Sequence, residues 1–167
     1  MLTESRREYS MREGNASEDR FVNACEGIGY DVRKSSKEED MYQHIDYWIK
    51  RKHKWFGVDV KGNRHPETIW LEFRNVRGRE GWLCGKAHYI AFDIVEIGGF
   101  AIVPRQDLLE WCSDNIQKKF TTKQDAYKKL YQRQGRKDIL TKIHLTDLHQ
   151  IKTLKMLRYA NATNNRD

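Results

Sequence analysis

The chain is poor in the residues that staple or punctuate small folds. It has three cysteines in 167 residues, Cys25, Cys84 and Cys112, and no two lie close together. An odd, scattered set argues against a disulfide framework and fits a reducing interior, so an intracellular, cytoplasmic protein is expected. Neither CxxC nor HExxH nor a paired Cys/His finger spacing occurs, which removes the common structural zinc sites. Prolines number two, and no apolar run approaches the length of a membrane span. The opening MLTESRREYSMREG is polar and lacks the apolar stretch of a signal peptide. Internal repeats and low-complexity tracts are also missing.

Charge is what the chain has in quantity. Charged residues make up 33% of it, hydrophobic residues 38%, and the net charge is +7. The balance is uneven: residues 118–167 hold 13 basic and 4 acidic residues, whereas 1–117 hold 18 and 20. A near-neutral body joined to a basic end points to a polyanionic partner, nucleic acid before any other.

Residues 1–14 have no clear period and read as a loose N-terminal arm or a marginal helix. Asn15, with Glu18 three residues on, has the form of a capping box, and Phe21, Val22, Cys25 and Ile28 then follow at helical spacing. Gly27 and Gly29 end that helix, 30–34 reads as a short strand, and SSKEED (35–40) as a solvated loop. A hairpin follows. Ile45, Tyr47 and Ile49 alternate with His44, Asp46 and Trp48, 50–54 form a basic turn, and the strand returns through Val58 and Val60. After the loop 62–68, a third strand (69–76) places Ile69, Leu71 and Phe73 on one face and Trp70, Glu72 and Arg74 on the other.

If these three strands are neighbours in register, Asp46, Asp59, Lys61 and Glu72 share one face, and so do Trp48 and Trp70. Three acids and a lysine on one patch are costly unless a cation sits among them. Further on, 78–88 predicts a loop with a short helical turn. Strands follow at 88–95 and 100–104, with helices at 105–120 and, strongly basic, at 122–134. The end of the chain predicts a strand at 138–145, a short helix after it and a frayed end.

Carboxylates on adjacent strands suit phosphodiester hydrolysis, because they can hold divalent cations that activate water and clamp phosphate oxygens. Oxygen donors favour a hard ion, so Mg²⁺ is expected, with Mn²⁺ as a substitute. Asp59 and Lys61, two apart on one strand, project to the same side, where the lysine can orient the water or stabilise the phosphorane.

Asp46, twelve intervening residues, then Asp59-Val60-Lys61 on consecutive strands resembles the PD-(D/E)xK nuclease superfamily. The helix with Glu18 and the stretch Gly27 to Val32 look like the opening of its Holliday-junction-resolvase and phage nuclease members. WLEFRNVRGREGWLCGKAHYIAF (70–92) is similar to small phage-encoded members. The resemblance covers roughly residues 17–112. It departs from the superfamily pattern at Ile45, where proline is usual, and at Asp59, where glutamate is commoner.

The resemblance implies an α/β (α+β) restriction-endonuclease-like fold with an α-β-β-β-α-β core and a central mixed sheet flanked by helices. The core would span 15–117, and 118–167 would form a basic extension packed on it. It implies a Mg²⁺-dependent deoxyribonuclease with Asp46, Asp59 and Lys61 as motif residues and Glu18 completing the metal site (metal: Asp46, Asp59, Glu18). Glu72 would be a flanking ligand or acceptor. A second register, Asp59 followed by Glu72-Phe73-Arg74, is disfavoured because arginine cannot take a proton from water.

Arg74, Arg77, Arg79 and Lys86 are expected to line a groove. Lys128, Lys129, Arg133, Arg136 and Lys137 are expected to contact backbone phosphate. Nucleases of this type often work as dimers, which extends a homodimer to this chain as an expectation. The alternatives are a catalytically silent nucleic-acid-binding or assembly protein with the same fold, and an RNase, which shares all of this chemistry.

Overall fold

The structure is a computed structural model in which residues 4–62 and 64–161 are described. Its first helix, α1, runs from Arg6 to Gly27. The capping box sits at Ser5, whose Oγ accepts from Glu8 N at 3.2 Å while Ser5 N donates to the Glu8 carboxylate at 2.8 Å. Asn15 therefore lies inside the helix and caps nothing, and residues 6–14 are helical, whereas 1–3 lie outside the described residues. Ser17, Phe21, Ala24 and Cys25 form its buried face, while Ile28, just past the end, stays 56% exposed. Gly29, at φ +87°, turns the chain into β1 (Asp31–Lys34).

The stretch 35–40 is not a loop. Ser36 and Glu39 exchange backbone-to-side-chain hydrogen bonds and start a π-helical turn, Glu39–Gln43, which closes at His44 with φ 55°. The hairpin strands are β2 (Tyr47–Arg51) and β3 (Lys54–Lys61), joined by a tight two-residue turn at Lys52-His53. Both turn residues have positive φ, 46° and 67°. That sign pair matches the right-handed twist of the strands but is costly for residues that carry a Cβ.

Beyond β3 the expected three-strand meander breaks down. β4 (Ile69–Arg74) leaves the main sheet and pairs with β9 (Ile139–Ile143) in a small sheet of its own. The second neighbour of β3 is β5 (Tyr89–Ile94), parallel to it, with Asp59 opposite Ile90. The connection between these parallel strands is made by β4 and a 3₁₀ turn, Trp82–Cys84, where a crossover helix is the usual device. β6 (Gly99–Pro104) pairs with β5, and β10 (Lys155–Arg158) pairs with β6, giving the mixed order β1-β2-β3-β5-β6-β10. The expected fold class, a central mixed sheet flanked by helices, is borne out.

Two cores lie on opposite faces of this sheet. Phe21, Ala24 and Cys25 of α1 pack on Tyr47, Val58, Val60, Ala91 and Phe100. On the other face Ile69 and Leu71 of β4 join Trp82, Leu83, Ile90, Phe92 and Leu108. Helix α2 (Arg105–Asn115) is shorter than its period suggested. Asn115 turns its side chain back to the Trp111 carbonyl at 2.9 Å, Ile116 becomes extended, and β7 (Gln117–Phe120) begins.

The basic segment 122–134 is not helical. Its backbone is taken by β9: Lys128 N donates to Lys142 O at 2.9 Å, and Tyr131 and Leu140 exchange both of their bonds. β8 (Lys129–Leu130) is its short strand, and α3 (Leu145–Leu148) is the single helical turn before β10. Of the frayed end expected at 161–167, residues 162–167 lie outside the described residues. Among the described residues, no helix is long and apolar enough to cross a membrane.

Replacing Lys52-His53 by Asn-Gly relieves the left-handed turn and is expected to stabilise the protein by about 1 kcal/mol, raising Tm by ~2–4 °C. A calorimetric scan of the double variant checks this. A lowered Tm would mean that the two side chains hold the turn by contacts of their own.

Candidate active site on the β2–β3 hairpin

Asp46 is the residue just before β2, where the strand loses its ladder. Its N–H still donates to Val58 O at 2.9 Å, and its Oδ2 accepts from Val60 N at 2.7 Å. The carboxylate thus stands in for a missing strand and is fixed beside Asp59. Asp59 lies in the interior of the sheet at 2% exposure. Lys61 Nζ reaches its Oδ1 at 2.8 Å, and its Oδ2 is buried with no hydrogen-bond partner. Burial drives the Asp59 carboxyl up, Lys61 pulls it part of the way back, and the neighbouring Asp46 raises it again. It comes to rest at about 8. The Lys61 ammonium also sits 5.0 Å from the centre of the Trp82 ring, so the lysine is held between a carboxylate and an aromatic face.

The remaining acids go elsewhere. Glu18 lies across the sheet, on the α1 face, where its carboxylate accepts from Lys34 Nζ at 3.2 Å and Tyr47 Oη at 3.3 Å. Gly62 explains how closely α1 approaches this end of β3: a Cβ there would lie 2.4 Å from Ser17 Oγ. Glu72 rides on β4 in the second sheet, so it borders the site without sharing a strand ladder with Asp59. Among the described residues no three His, Cys, Asp or Glu side chains gather closely enough to hold a metal as an all-protein cage.

The pair Asp46 and Asp59 nevertheless suits Mg²⁺, which is usually held by one or two carboxylates and keeps several waters. An orphaned, buried carboxylate oxygen beside a second carboxylate is the donor set such an ion needs.

One site residue was missed at the sequence level. Arg64 follows Lys61 by three positions, in the loop expected at 62–68. The residue is half-buried with its Nε shut away from water and without a partner, and its charge is felt by both Asp59 and Glu72. Burial lowers its pKa from the ordinary guanidinium value, against the pull of those two carboxylates. No periodicity marks a residue of this kind. Only its place just beyond the Asp-x-Lys triplet hinted at it.

The expected nucleic-acid contacts divide into two groups. Arg77 and Arg79 belong to a turn in which both backbone N–H groups donate to Asn75 Oδ1, at 3.0 and 3.1 Å. Lys137 meets this turn, donating its N–H to Val76 O at 3.3 Å and lying against Gly78, with exposed Arg136 next to it in the chain. Arg77 and Arg79 line a cleft of ≈ 520 Å³ together with Met41, Tyr42, His44, Asn75, Val76 and the acidic Glu80. Exposed Lys86 is tied to the opposite side of that region, through its N–H to Gln43 O at 2.9 Å. Arg74 is exposed at the end of β4, and Lys129 is half-buried in β8.

Lys128 and Arg133 are committed internally. Lys128 pairs with buried Asp147 at 3.0 Å, and Arg133 pairs with buried Asp138. The two tryptophans expected on one face are apart: Trp48 donates to Glu39 at 2.8 Å, whereas Trp70 packs by Tyr131 in the small sheet. His88, given no role from sequence, accepts from Gly57 N through Nδ1 at 2.8 Å.

No protein-family model matches the chain, and no curated protein matches it. Among solved structures, a bacterial homing endonuclease, I-Ssp6803I, aligns with 64% of this chain and 70% of its own length, at 14% identity and a TM-score of 0.44.

The Asp59 titration sets a pH dependence. Unfolded, Asp59 ionises near 3.8; folded, near about 8. Between those values the folded protein holds the extra proton, so without divalent cation this residue's contribution to stability falls as pH rises and levels off above about 8. Asp59→Asn removes that slope. Urea unfolding across this range is expected to show the variant gaining on the wild type as pH rises, and parallel curves would rule out Asp59 as the buried titrating acid.

Proposed function

We propose that this protein is a Mg²⁺-dependent nuclease that hydrolyses phosphodiester bonds in DNA at Asp46, Asp59 and Lys61. The observation that carries this reading is Asp59. It is a buried acid with one oxygen on Lys61 and the other without a donor, close enough to share its proton with Asp46, a second carboxyl pinned by a backbone N–H. A buried acid in such company costs stability unless it serves a ligand. A divalent cation on Asp46 and Asp59 would supply water activation and neutralise charge on the phosphate.

The protein's own groups do the remaining work. Val60 N–H fixes Asp46, so the two carboxylates need no rearrangement. Lys61, held on Asp59 Oδ1 at 2.8 Å, keeps further N–H donors with which it would orient the attacking water or meet the charge growing on phosphorus. The water gives up a proton to solvent as its oxygen bonds to phosphorus, the bond to the leaving sugar oxygen breaks, and that oxygen takes up a proton from solvent. The turn bearing Arg77 and Arg79, with Arg136 and Lys137, holds the backbone on the cleft side and gives salt-sensitive affinity.

Cleavage of linear, nicked, flapped and four-way DNA in Mg²⁺ and in EDTA tests the reading. Wild type is expected to cut only with metal, and Asp59→Ala and Lys61→Ala to lose at least ~100-fold. Equal cleavage by wild type and both variants would identify a contaminant. Tight metal-independent binding with no cleavage of DNA or RNA would establish a silent binder. Because Asp59 must lose its proton to hold the cation, cleavage is expected to climb with pH toward about 8. Separately, Arg77→Ala and Lys137→Ala are each expected to weaken DNA binding across all sequences and to lower the salt slope by about 1, read by fluorescence anisotropy.

A further inference from the structure

Two polar atoms in this site are buried and unpartnered, and they are of opposite kind: Asp59 Oδ2, an acceptor, and Arg64 Nε, a donor. They do not bond to each other, and among the described residues no carboxylate forms a salt bridge with Arg64. Arginine remains charged at every pH that leaves the fold intact. Arg64 as a whole is half-buried, but a guanidinium Nε shut away from water with no acceptor is costly even with the charges of Asp59 and Glu72 nearby. Nothing about the backbone demands it, because the residue is already anchored by its own N–H, which donates to Asp93 O at 3.1 Å. Asp93 is a rigid support: its carboxylate is buried and takes bonds from Arg20 Nε at 3.0 Å, Arg20 Nη2 at 2.6 Å and the Tyr159 hydroxyl.

We propose that Arg64 is a phosphate-binding residue of this site, receiving the non-bridging oxygens of the scissile phosphate on its guanidinium fork. This rests on the phosphodiesterase reading above. The planar fork matches two phosphate oxygens, which a lysine cannot do. A phosphate oxygen would give the Arg64 guanidinium its anion, and a cation held by Asp46 and Asp59 would give Asp59 Oδ2 its partner. Lys61 and Arg64 divide the labour: the lysine borders the carboxylate and the water, and the arginine holds the phosphate from beyond it.

The test has two arms. In the first, thermal shift by inorganic phosphate in the presence of Mg²⁺ is compared between wild type, Arg64→Met and Arg64→Lys. Wild type is expected to be stabilised, Arg64→Met not at all, and Arg64→Lys weakly. Equal stabilisation of all three overturns the proposal, whether or not the protein cuts DNA. In the second, single-turnover cleavage by Arg64→Met is expected to fall at least ~100-fold while the thermal shift with Mg²⁺ alone is kept. Wild-type cleavage by that variant also overturns it. If wild type cuts nothing yet shows an Arg64-dependent phosphate shift, the nuclease reading fails and the phosphate site stands. Should Arg64→Met fail to fold, Arg64→Lys decides, because it keeps the charge and loses only the fork; wild-type behaviour in both arms then refutes the assignment.

Discussion

The parallel pairing of β3 with β5 is the constraint on which the site depends. It makes β3 an interior strand, flanked by β2 on one side and covered on both faces by apolar side chains. Strands in that position usually read as continuous apolar runs. In its buried stretch β3 keeps to this at Val58 and Val60 and breaks it at Asp59. The dryness around that carboxylate, the lysine drawn onto it and the second acid pinned beside it all follow from the position of the strand. Had β3 paired with β4, its charged face would have been half open to water, and Asp59 would have been an ordinary surface acid.

The hairpin was legible because everything that defines it is local. Alternation at 47–49 and 58–61 fixes which side chains share a face, and the Asp-x-Lys spacing fixes two of them on the same side, whereas Ile45, ahead of the strand, falls in the opposite core from Tyr47 and Ile49. Helix-start signals were legible in kind and misplaced in position. The serine-to-glutamate box operates at Ser5/Glu8 and at Ser36/Glu39, whereas the similar Asn15/Glu18 pair lies mid-helix, where the backbone N–H groups already have partners. With that assignment gone, Glu18 is explained by Lys34 and Tyr47.

Strand partners were not legible. Alternation says which face a residue occupies and nothing about which strand lies alongside, so β4 was placed next to β3 when its partner lies some seventy positions later in β9. The basic segment 122–134 failed for a related reason. Ala126 and Leu130, and Tyr127 and Tyr131, recur at helical spacing, but the backbone between them finds better partners in β9, and tertiary pairing overrides a weak local preference. Charge counting was right about the total and blind to its use. Lys128 and Arg133 contribute to the same basic balance as Arg136 and Lys137, yet each neutralises a buried aspartate.

The β4–β9 pairing also fixes an order of events. The hairpin can close as soon as residue 61 is available, since its contacts are sequence neighbours, and closure alone brings Asp46 and Asp59 together. β4, which helps to roof that face of the sheet, has no ladder partner until residues 139–143 exist, and β10 completes the sheet later still. Contacts spanning such separations are slow to form because the loop must be closed before it is rewarded. The acids are therefore neighbours early and dry late, so a partly folded chain carries the motif in a solvated, unperturbed form. The unusual carboxylate is a property of the finished fold.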